Sequence, residues 1–425
     1  METSIIIIII GLFIFWGHFL NGIFQSKNIP DVLGLILTGI LIGPVFNIVD
    51  PASFGKFGSL FSNLVLIFIL FESGTELRIA EIKESFKDSA GITTLGFIVT
   101  TITIAACCML IFNLSFITSL FIGSALGGTS SAVVVGLVRK TAVTPKTSAT
   151  LIIESAETDV FTLAIPITLL HLMTSGNIEA VSVISQFVSS IVFALIIGVV
   201  GAFLWSFILN KFPRLKSTKF STPAFLFLLY GASEYFKFSG PLTALSFGIA
   251  IGNLRYLEPK ILERIIPNQR IVLPQKERDF FSEIVFLLRT FFFVFIGISI
   301  QITRTDWLFW GMIITLAVFM TRLAVVKIIV ARNTPLADKT VMSYMIPKGL
   351  GAAVIATLPL QQGNKDGVII QSICFSVILF STLFCVLFFF LAQNGITTPF
   401  YRLIFGKDKD QDPTEDLSTQ QENIQ

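Results

Sequence analysis

The stretch IIESAETDVF, residues 152–161, places three carboxylates, those of Glu154, Glu157 and Asp159, within six residues of one apolar segment. The flanking sequences, TSATL before it and TLAIPITLLHL after it, contain no acidic or strongly basic residue. In a membrane, an ionised side chain at the bilayer centre costs roughly 2.5–3.5 kcal/mol on insertion scales. Such acids must therefore face a wet cavity, pair with cations or be protonated, and the stretch predicts a buried functional site.

The composition of the whole chain indicates a polytopic membrane protein. Of the 425 residues, 53% are hydrophobic and only 13% are charged, whereas a soluble domain has about 25% charged residues. Uncharged stretches of about 20 residues recur, which is the length of a membrane-spanning helix. These segments are too long and too uniformly apolar for barrel strands, so the predicted fold class is all-α.

The apolar segments predict thirteen membrane crossings. The first lacks a basic leading region and a small-residue cleavage site, so we interpret it as a retained crossing and not as a signal peptide. The crossings lie near residues 4–22, 31–49, 57–72, 90–113, 116–138, 147–173, 180–210, 220–236, 239–254, 282–303, 307–331, 341–361 and 367–398.

The distribution of basic residues predicts the orientation of these crossings. Loops after odd-numbered crossings contain nineteen Lys and Arg residues, and loops after even-numbered crossings contain four. Because Lys and Arg concentrate in cytoplasmic loops, the N-terminus is predicted outside and the C-terminus inside a cell membrane. Thirteen crossings also divide into six, one and six, which is the parity of two six-helix inverted repeats joined by a linker helix.

The spacing of polar residues in crossing 6 predicts which of them act together. Ser155 and Asp159 lie four residues apart and share one face of a helix, while Glu154 and Thr158 share a neighbouring stripe. Asp159 has the longest apolar run after it and is the acid most suited to a functional role. Glu157 is ambiguous, because pairing with a basic neighbour would also explain it. An ion-paired structural cluster is the alternative interpretation of all three acids.

Three basic residues inside other crossings are potential counter-charges: Arg289 in crossing 10, Arg322 in the middle of crossing 11 and Lys348 in crossing 12. Arg322 is the best partner for an acid, because a mid-helix arginine is too far from the interface to reach water by extending its side chain. Glu72 and Glu76 end crossing 3, and a solvated helix face explains them without a functional role.

Two crossings contain helix-breaking sequences at matching positions. Crossing 5 contains GGTSS at residues 127–131, and crossing 12 contains PKGLG at residues 347–351. Crossings 5 and 12 are counterparts in a plan of six, one and six helices. Interrupted helices at corresponding positions of two halves indicate a transport site, and unwound backbone is tolerated in a membrane only beside a cavity or inside protein.

At these residues the chain resembles the monovalent cation:proton antiporter superfamily, near its sodium/proton exchanger (NhaP-like) branch. The segment ESAETD matches the branch's ion-site helix through Glu154, Ser155 and Asp159, with Thr158 where Asn is usual. The segment GTSS keeps a threonine, Thr129, but has two serines in place of Asp-Pro. Similarity extends to LFESGTEL at residues 70–77, to PKGLGAAVIATLP at residues 347–359, and to Arg322, where the family has a Lys or Arg.

The resemblance implies alternating access and a division of labour between helices. It implies a transmembrane domain over residues 1–400, with ion-site core helices at about 90–173 and 307–398. Scaffold or dimer helices are expected at about 1–72 and 180–303, with a disordered cytoplasmic tail over 401–425. A homodimer in the lipid bilayer is expected. Neither a cofactor nor a nucleotide or nucleic acid partner is expected, and the chain is not expected to be an enzyme.

The predicted function is exchange of a monovalent cation for protons, one for one, with Na⁺ favoured over Li⁺ and K⁺. Asp159 and Arg322 are the expected central residues. Hard cations prefer oxygen ligands, and the expected ligands are Asp159, Glu154, Ser155, Thr158, Thr129 and Ser130. Glu157, Lys348 and Arg289 are secondary choices. A cation-coupled solute symporter of related architecture is the alternative.

Overall fold

The structure is a computed structural model. It describes residues 11–20, 22, 31–49, 55–76, 79–138, 140–174, 180–212, 214–215, 220–236, 238–254, 275–300 and 304–406. These residues form α-helices and connecting turns. The surface segment that follows crossing 9 is predicted to link two bundles, and most of it lies outside the described residues.

Sixteen helices occupy the described residues, and every predicted crossing overlaps one of them or a pair of them. Helices α4, α8, α11, α12 and α15 contain spans that are long and apolar enough to cross a membrane, judged by length and composition. In chain order the helices are α1 Gly11–Leu20, α2 Asp31–Ile40 (continued by a π-helical turn, Leu41–Val45), α3 Gly55–Glu76, α4 Ile79–Phe112, α5 Phe116–Ala125, α6 Ser131–Val138, α7 Pro145–Thr174, α8 Ala180–Lys211, α9 Ser221–Tyr235, α10 Gly240–Gly252, α11 Gln275–Ser299, α12 Thr305–Ile329, α13 Leu336–Tyr344, α14 Leu350–Gln361, α15 Gly367–Gln393 and α16 Thr398–Phe405.

Polar side chains cap several of these helices, since the first N–H groups of a helix have no partner within it. Ser115 caps α5 by accepting a 3.2 Å hydrogen bond from the amide of Thr118. The start of α7 is capped from another helix: Asp338, in the first turn of α13, accepts from the amide of Thr144 at 3.2 Å and from the hydroxyl of Thr147 at 2.7 Å. The hydroxyl of Thr144 also donates to Asp338. Asp338 is 1% exposed, so this carboxylate joins α7 to α13 inside the protein.

The helices pack in two groups. In one group α10 packs against α3, α8 and α9, and α11 packs against α2 and α3. In the other, α4, α5 and α7 pack together, α12 packs against α4, and α14 packs against α5 and α7. Helix α15 packs against α12 and α14. Close helix approach within the first group depends on Gly248, where a Cβ would lie 2.4 Å from the carbonyl oxygen of Phe71. The groups meet where α3 and α11 contact α7 and α14, and the site lies along this seam.

Two helix pairs are interrupted where the sequence predicts, and the two interruptions are hydrogen-bonded to each other. Residues 126–130 separate α5 from α6, and residues 345–349 separate α13 from α14. Pro347 explains the second interruption, because proline has no N–H and disfavours helical backbone at the residue before it. The amide of Ser130 donates to the carbonyl of Pro347 at 2.8 Å, and the ammonium of Lys348 donates to the carbonyl of Gly128 at 2.9 Å.

Part of the range predicted to be a disordered tail is helical. Helix α16, Thr398–Phe405, extends into the range 401–425. Tyr401 has no exposed surface, and α16 packs against α13. The buried ring of Tyr401 holds α16 against α13. The sequence did not reveal this helix, because the residues that follow it are polar. Residues 407–425 lie outside the described part of the chain.

Candidate functional site

The first element of the site is a sealed ion pair between α7 and α12. Arg322 Nη1 lies 2.5 Å from Glu154 Oε1, and Nη2 lies 2.7 Å from Oε2. Its Nε donates to the carbonyl of Met342 at 2.9 Å, and both side chains are 4% exposed. Bidentate pairing of this kind is the strongest form of a charged hydrogen bond. Arg322 therefore has the acidic partner that the sequence predicts.

This pairing corrects the expected ligand set. Glu154 was expected among the oxygen ligands of a cation, yet both of its carboxylate oxygens accept from the guanidinium of Arg322. The pair also needs space on α4, since a Cβ at Gly96 would lie 3.0 Å from Arg322 Nη1. The geometry of Glu154 is therefore that of a buried ion pair between helices.

The second element of the site is a set of hydrogen bonds that joins the first interruption, residues 126–130, to α7. The hydroxyl of Thr158 accepts from the amide of Thr129 at 3.2 Å and donates to the carbonyl of Ser155 at 3.3 Å. The hydroxyl of Ser155 donates to the carbonyl of Ile152 at 2.8 Å. Gly128 permits this contact, because a Cβ there would lie 2.8 Å from the Cβ of Thr158. These three expected ligands, Ser155, Thr158 and Thr129, are buried in contacts that hold the backbone.

The third element is a cavity of about 490 Å³ at the seam between the two helix groups. Of the six expected ligands, Asp159 and Ser130 line it. Within the described part of the chain, the other charged residues of its lining are Glu72 on α3 and Arg289 on α11. Hydroxyls and apolar side chains complete the wall: Ser73, Ser131, Ser282, Ile69, Val135, Leu163, Val285, Phe286 and Leu350, together with Gly351.

Glu72 is the residue that the sequence interpretation missed. Its place at the end of an apolar segment is typical of a solvated helix face, but Glu72 lines the same cavity as Asp159 and is half-buried. A signal was present, because Glu72 lies within LFESGTEL, one of the segments that carry the family resemblance. A periodicity argument on α3 alone could not reveal which helix faces it.

The secondary choices separate into three environments. Arg289 lines the cavity. Lys348 is 2% exposed and fastens the two interruptions together through Gly128. Glu157 is half-buried on α7, and within the described residues its Oε1 is buried without a hydrogen-bond partner. Glu157 is not part of the cavity wall.

Two helix N-termini face the cavity. Ser131, the first residue of α6, and Leu350 and Gly351, the first two of α14, all line it. The free N–H groups and the dipole of a helix make its N-terminus favourable for negative charge, by about 0.3–1 kcal/mol each. The interruptions thus place two positive helix ends beside the space that Asp159 lines.

A helical membrane protein whose two interrupted helices meet beside a carboxylate-lined cavity has the architecture of a secondary transporter. The sequence model of the family described as "Sodium/hydrogen exchanger, transmembrane" matches residues 5–393, and the chain belongs to that family. The resemblance to the sodium/proton exchanger branch is thereby confirmed. Membership places the chain among transporters rather than enzymes.

Curated relatives carry the names of antiporters for two different cations. The chain is 26% identical over 244 residues to the K⁺/H⁺ antiporter NhaP2 of Shewanella sp. (strain MR-4), covering 55% of this chain and 41% of that protein. It is 23% identical over 373 residues to Na⁺/H⁺ antiporter 1 of Methanocaldococcus jannaschii, covering 84% and 83%. The match therefore spans about two fifths of the length of the NhaP2 relative.

A solved structure shares the fold. The sodium proton antiporter MjNhaP1 from Methanocaldococcus jannaschii, determined at pH 8, superposes with a TM-score of 0.73 at 20% identity, covering 96% of this chain and 100% of that one. This similarity establishes the fold and its all-helical class.

Proposed function

We propose that the chain exchanges a monovalent cation for protons across the cell membrane, with Asp159 as the group that binds each in turn. The observation that carries this proposal is the shared cavity of Asp159 and Glu72, beside the N-termini of α6 and α14. Two carboxylates with adjacent serine hydroxyls supply the oxygen ligands that a hard cation prefers. Membership of an exchanger family favours exchange over the symport alternative.

The proposed ligands are Asp159, Glu72 and Ser130, which all line the cavity. Glu154 is left out of the set, because Arg322 engages both of its oxygens. Arg322 then acts as a positioning residue: it holds α7 against α12 and keeps the Glu154 charge compensated. Thr158 and Thr129 set the position of the first interruption.

Alternating access follows from the position of the cavity between the two helix groups. Helices α3 and α11 provide one wall, and α6, α7 and α14 provide the other. In the proposed cycle the second group, the core, moves against the first, the scaffold, which also forms a homodimer. The thirteen crossings and their inverted repeat belong to this proposal, supported by two interrupted helices that occupy corresponding positions in the chain.

The side to which the cavity opens follows from the charge rule. Its lining on α3 lies near the C-terminal end of that helix, and three of its four residues on α11, Ser282, Val285 and Phe286, lie in the N-terminal half. Both ends adjoin basic loops, which the positive-inside rule assigns to the cytoplasm. We therefore infer an inward-facing conformation, with the N-terminus outside and the C-terminus inside.

The proposed exchange is one for one, since a proton and a monovalent cation each add one positive charge to the same carboxylate. Na⁺ is favoured, while Li⁺ and K⁺ belong in the same test because relatives are named for both Na⁺ and K⁺. The experiment is cation-dependent proton movement in proteoliposomes carrying a pH gradient, measured with Na⁺, Li⁺ and K⁺ in turn.

Asp159→Asn is expected to reduce this flux to that of liposomes without protein. The matched control is Asp306→Asn, because Asp306 is exposed in the first turn of α12 and away from the cavity lining. The control is expected to retain the parent flux. Undiminished flux in Asp159→Asn would remove Asp159 from the mechanism, and parent protein inactive with all three cations would refute the exchange itself.

A further inference from the structure

The cavity lining contains more negatively charged than positively charged side chains. Among the residues that the structure describes, the charged lining consists of two carboxylates, those of Glu72 and Asp159, and one guanidinium, that of Arg289. With all three ionised the lining carries one net negative charge, which a single monovalent cation neutralises. The nearby buried cations are committed elsewhere: Arg322 pairs with Glu154, and Lys348 donates to the carbonyl of Gly128.

Arg289 is built into the wall contributed by α11. Its guanidinium lies 5.5 Å from the ring centroid of Phe286, one helical turn earlier, in cation–π geometry. Phe286 and Val285 line the same wall. A half-buried arginine supported in this way is a fixed positive charge in the space that an entering cation must share with Asp159.

We propose that Arg289 determines selectivity for monovalent over divalent cations, by keeping the charge of the cavity lining at minus one. The proposal rests on the proposed function and deepens it. Without Arg289 the described lining would carry two negative charges on carboxylates that share one cavity. Such an arrangement suits an ion such as Ca²⁺, which prefers several carboxylate oxygens. A positive residue in a cation site lowers cation affinity, so its value must lie in discrimination.

Coulomb's law gives the size of the effect. A sphere of the cavity's volume is about 10 Å across, and at an effective dielectric constant of about 20 a charge at that distance changes monovalent affinity roughly tenfold. Repulsion of a divalent ion is twice as large in free energy, which corresponds to roughly a hundredfold in affinity. Removal of Arg289 should therefore shift the preference toward a divalent ion by roughly tenfold.

The experiment compares Arg289→Gln with the charge-retaining Arg289→Lys in proteoliposomes. Half-saturation for Na⁺ and half-inhibition by Ca²⁺ are measured at one fixed alkaline pH. Arg304→Gln is the matched control, because Arg304 is exposed at the start of α12 and its guanidinium lies over the ring of Trp307. Arg289→Gln should lower the Na⁺ constant roughly tenfold and the Ca²⁺ constant roughly a hundredfold. Arg289→Lys and Arg304→Gln should remain near the parent values.

Three results would overturn the role of Arg289. These are unchanged constants in Arg289→Gln, equal shifts for Na⁺ and Ca²⁺, or the same behaviour in Arg289→Lys as in Arg289→Gln. A purely structural role predicts a lower maximal rate without a change in the ratio of the two constants. Failure of the proposed function is distinguishable, because the parent protein would then show no cation-dependent proton flux before any variant is compared.

Discussion

Glu154 and Asp159 lie five residues apart on the same helix, yet the structure gives them opposite environments. Five residues correspond to about 140° around an α-helix, so the two carboxylates leave α7 in different directions. Glu154 is 3% exposed and bound by Arg322 through both oxygens. Asp159 is half-buried and lines a cavity of about 490 Å³.

The difference shows that an acidic residue within a membrane protein can have either of two roles: to hold helices together or to bind an ion. A sealed pair fixes one helix against another, and its cost in desolvation is offset only while both partners are present. An acid that faces a cavity keeps access to water and to ions, and contributes little to the fold. Asp338, sealed between α13 and the start of α7, belongs with Glu154. Glu72 belongs with Asp159.

The largest expected effect tests the sealed pair. Arg322→Met would leave the Glu154 carboxylate buried without its guanidinium, which should lower the free energy of unfolding by about 3–5 kcal/mol. Thermal unfolding of the purified protein in detergent measures this loss. The double variant Arg322→Met with Glu154→Leu should recover most of it, because an apolar pair replaces the ionic one. A single variant as stable as the parent would show that Glu154 is not sealed.

A smaller effect is expected at the second sealed acid. Asp338→Ala removes the acceptor for the amide and hydroxyl of Thr144 and for the hydroxyl of Thr147. The expected loss in unfolding free energy is about 1.5–3 kcal/mol, as for hydrogen bonds to a charged group. The same thermal unfolding assay applies.

Asp366→Ala is the matched control for that variant. Asp366 is the N-cap residue of α15, but its side chain makes no capping hydrogen bond. Its replacement should leave stability within about 0.5 kcal/mol of the parent value. Equal losses in the two variants would mean that the capping contacts of Asp338 do not account for its effect.

Much of this architecture could be predicted from the sequence, because its signals are local. Stretches of about 20 apolar residues indicate crossings, and GGTSS and PKGLG indicate interruptions, since each depends on residues adjacent in the chain. The partner of Arg322 was also predictable as an acid, because an unpaired mid-membrane arginine is too costly.

What could not be predicted is which acid that partner is. The pairing joins residues 168 positions apart, and the choice between Glu154 and Asp159 depends on how α7 is rotated against α12. The same rotation decides that Ser155 and Thr158 contact backbone groups while Asp159 lines the cavity. For Glu72 the missing information was the packing of α3 against the second helix group.

The smallest expected effect on stability, at Asp159, completes the comparison. Asp159→Asn and Glu154→Gln make the same chemical change, carboxylate to amide, on one helix. Asp159→Asn should alter the free energy of unfolding by no more than about 1 kcal/mol, because a group that shares a wet cavity is screened even when it has a charged neighbour. Glu154→Gln should lower it measurably, since the amide leaves the buried Arg322 charge uncompensated.

Both isosteric variants are measured by thermal unfolding and by proton flux on the same preparations. Asp159→Asn should keep its unfolding temperature and lose transport, whereas Glu154→Gln should lose stability first. If Asp159→Asn unfolded as readily as Glu154→Gln, Asp159 would be a structural acid as well, and its position on the cavity wall would no longer argue for a role in transport. The same change from carboxylate to amide at two positions thus distinguishes the acid that holds the helices together from the acid proposed to bind the ion.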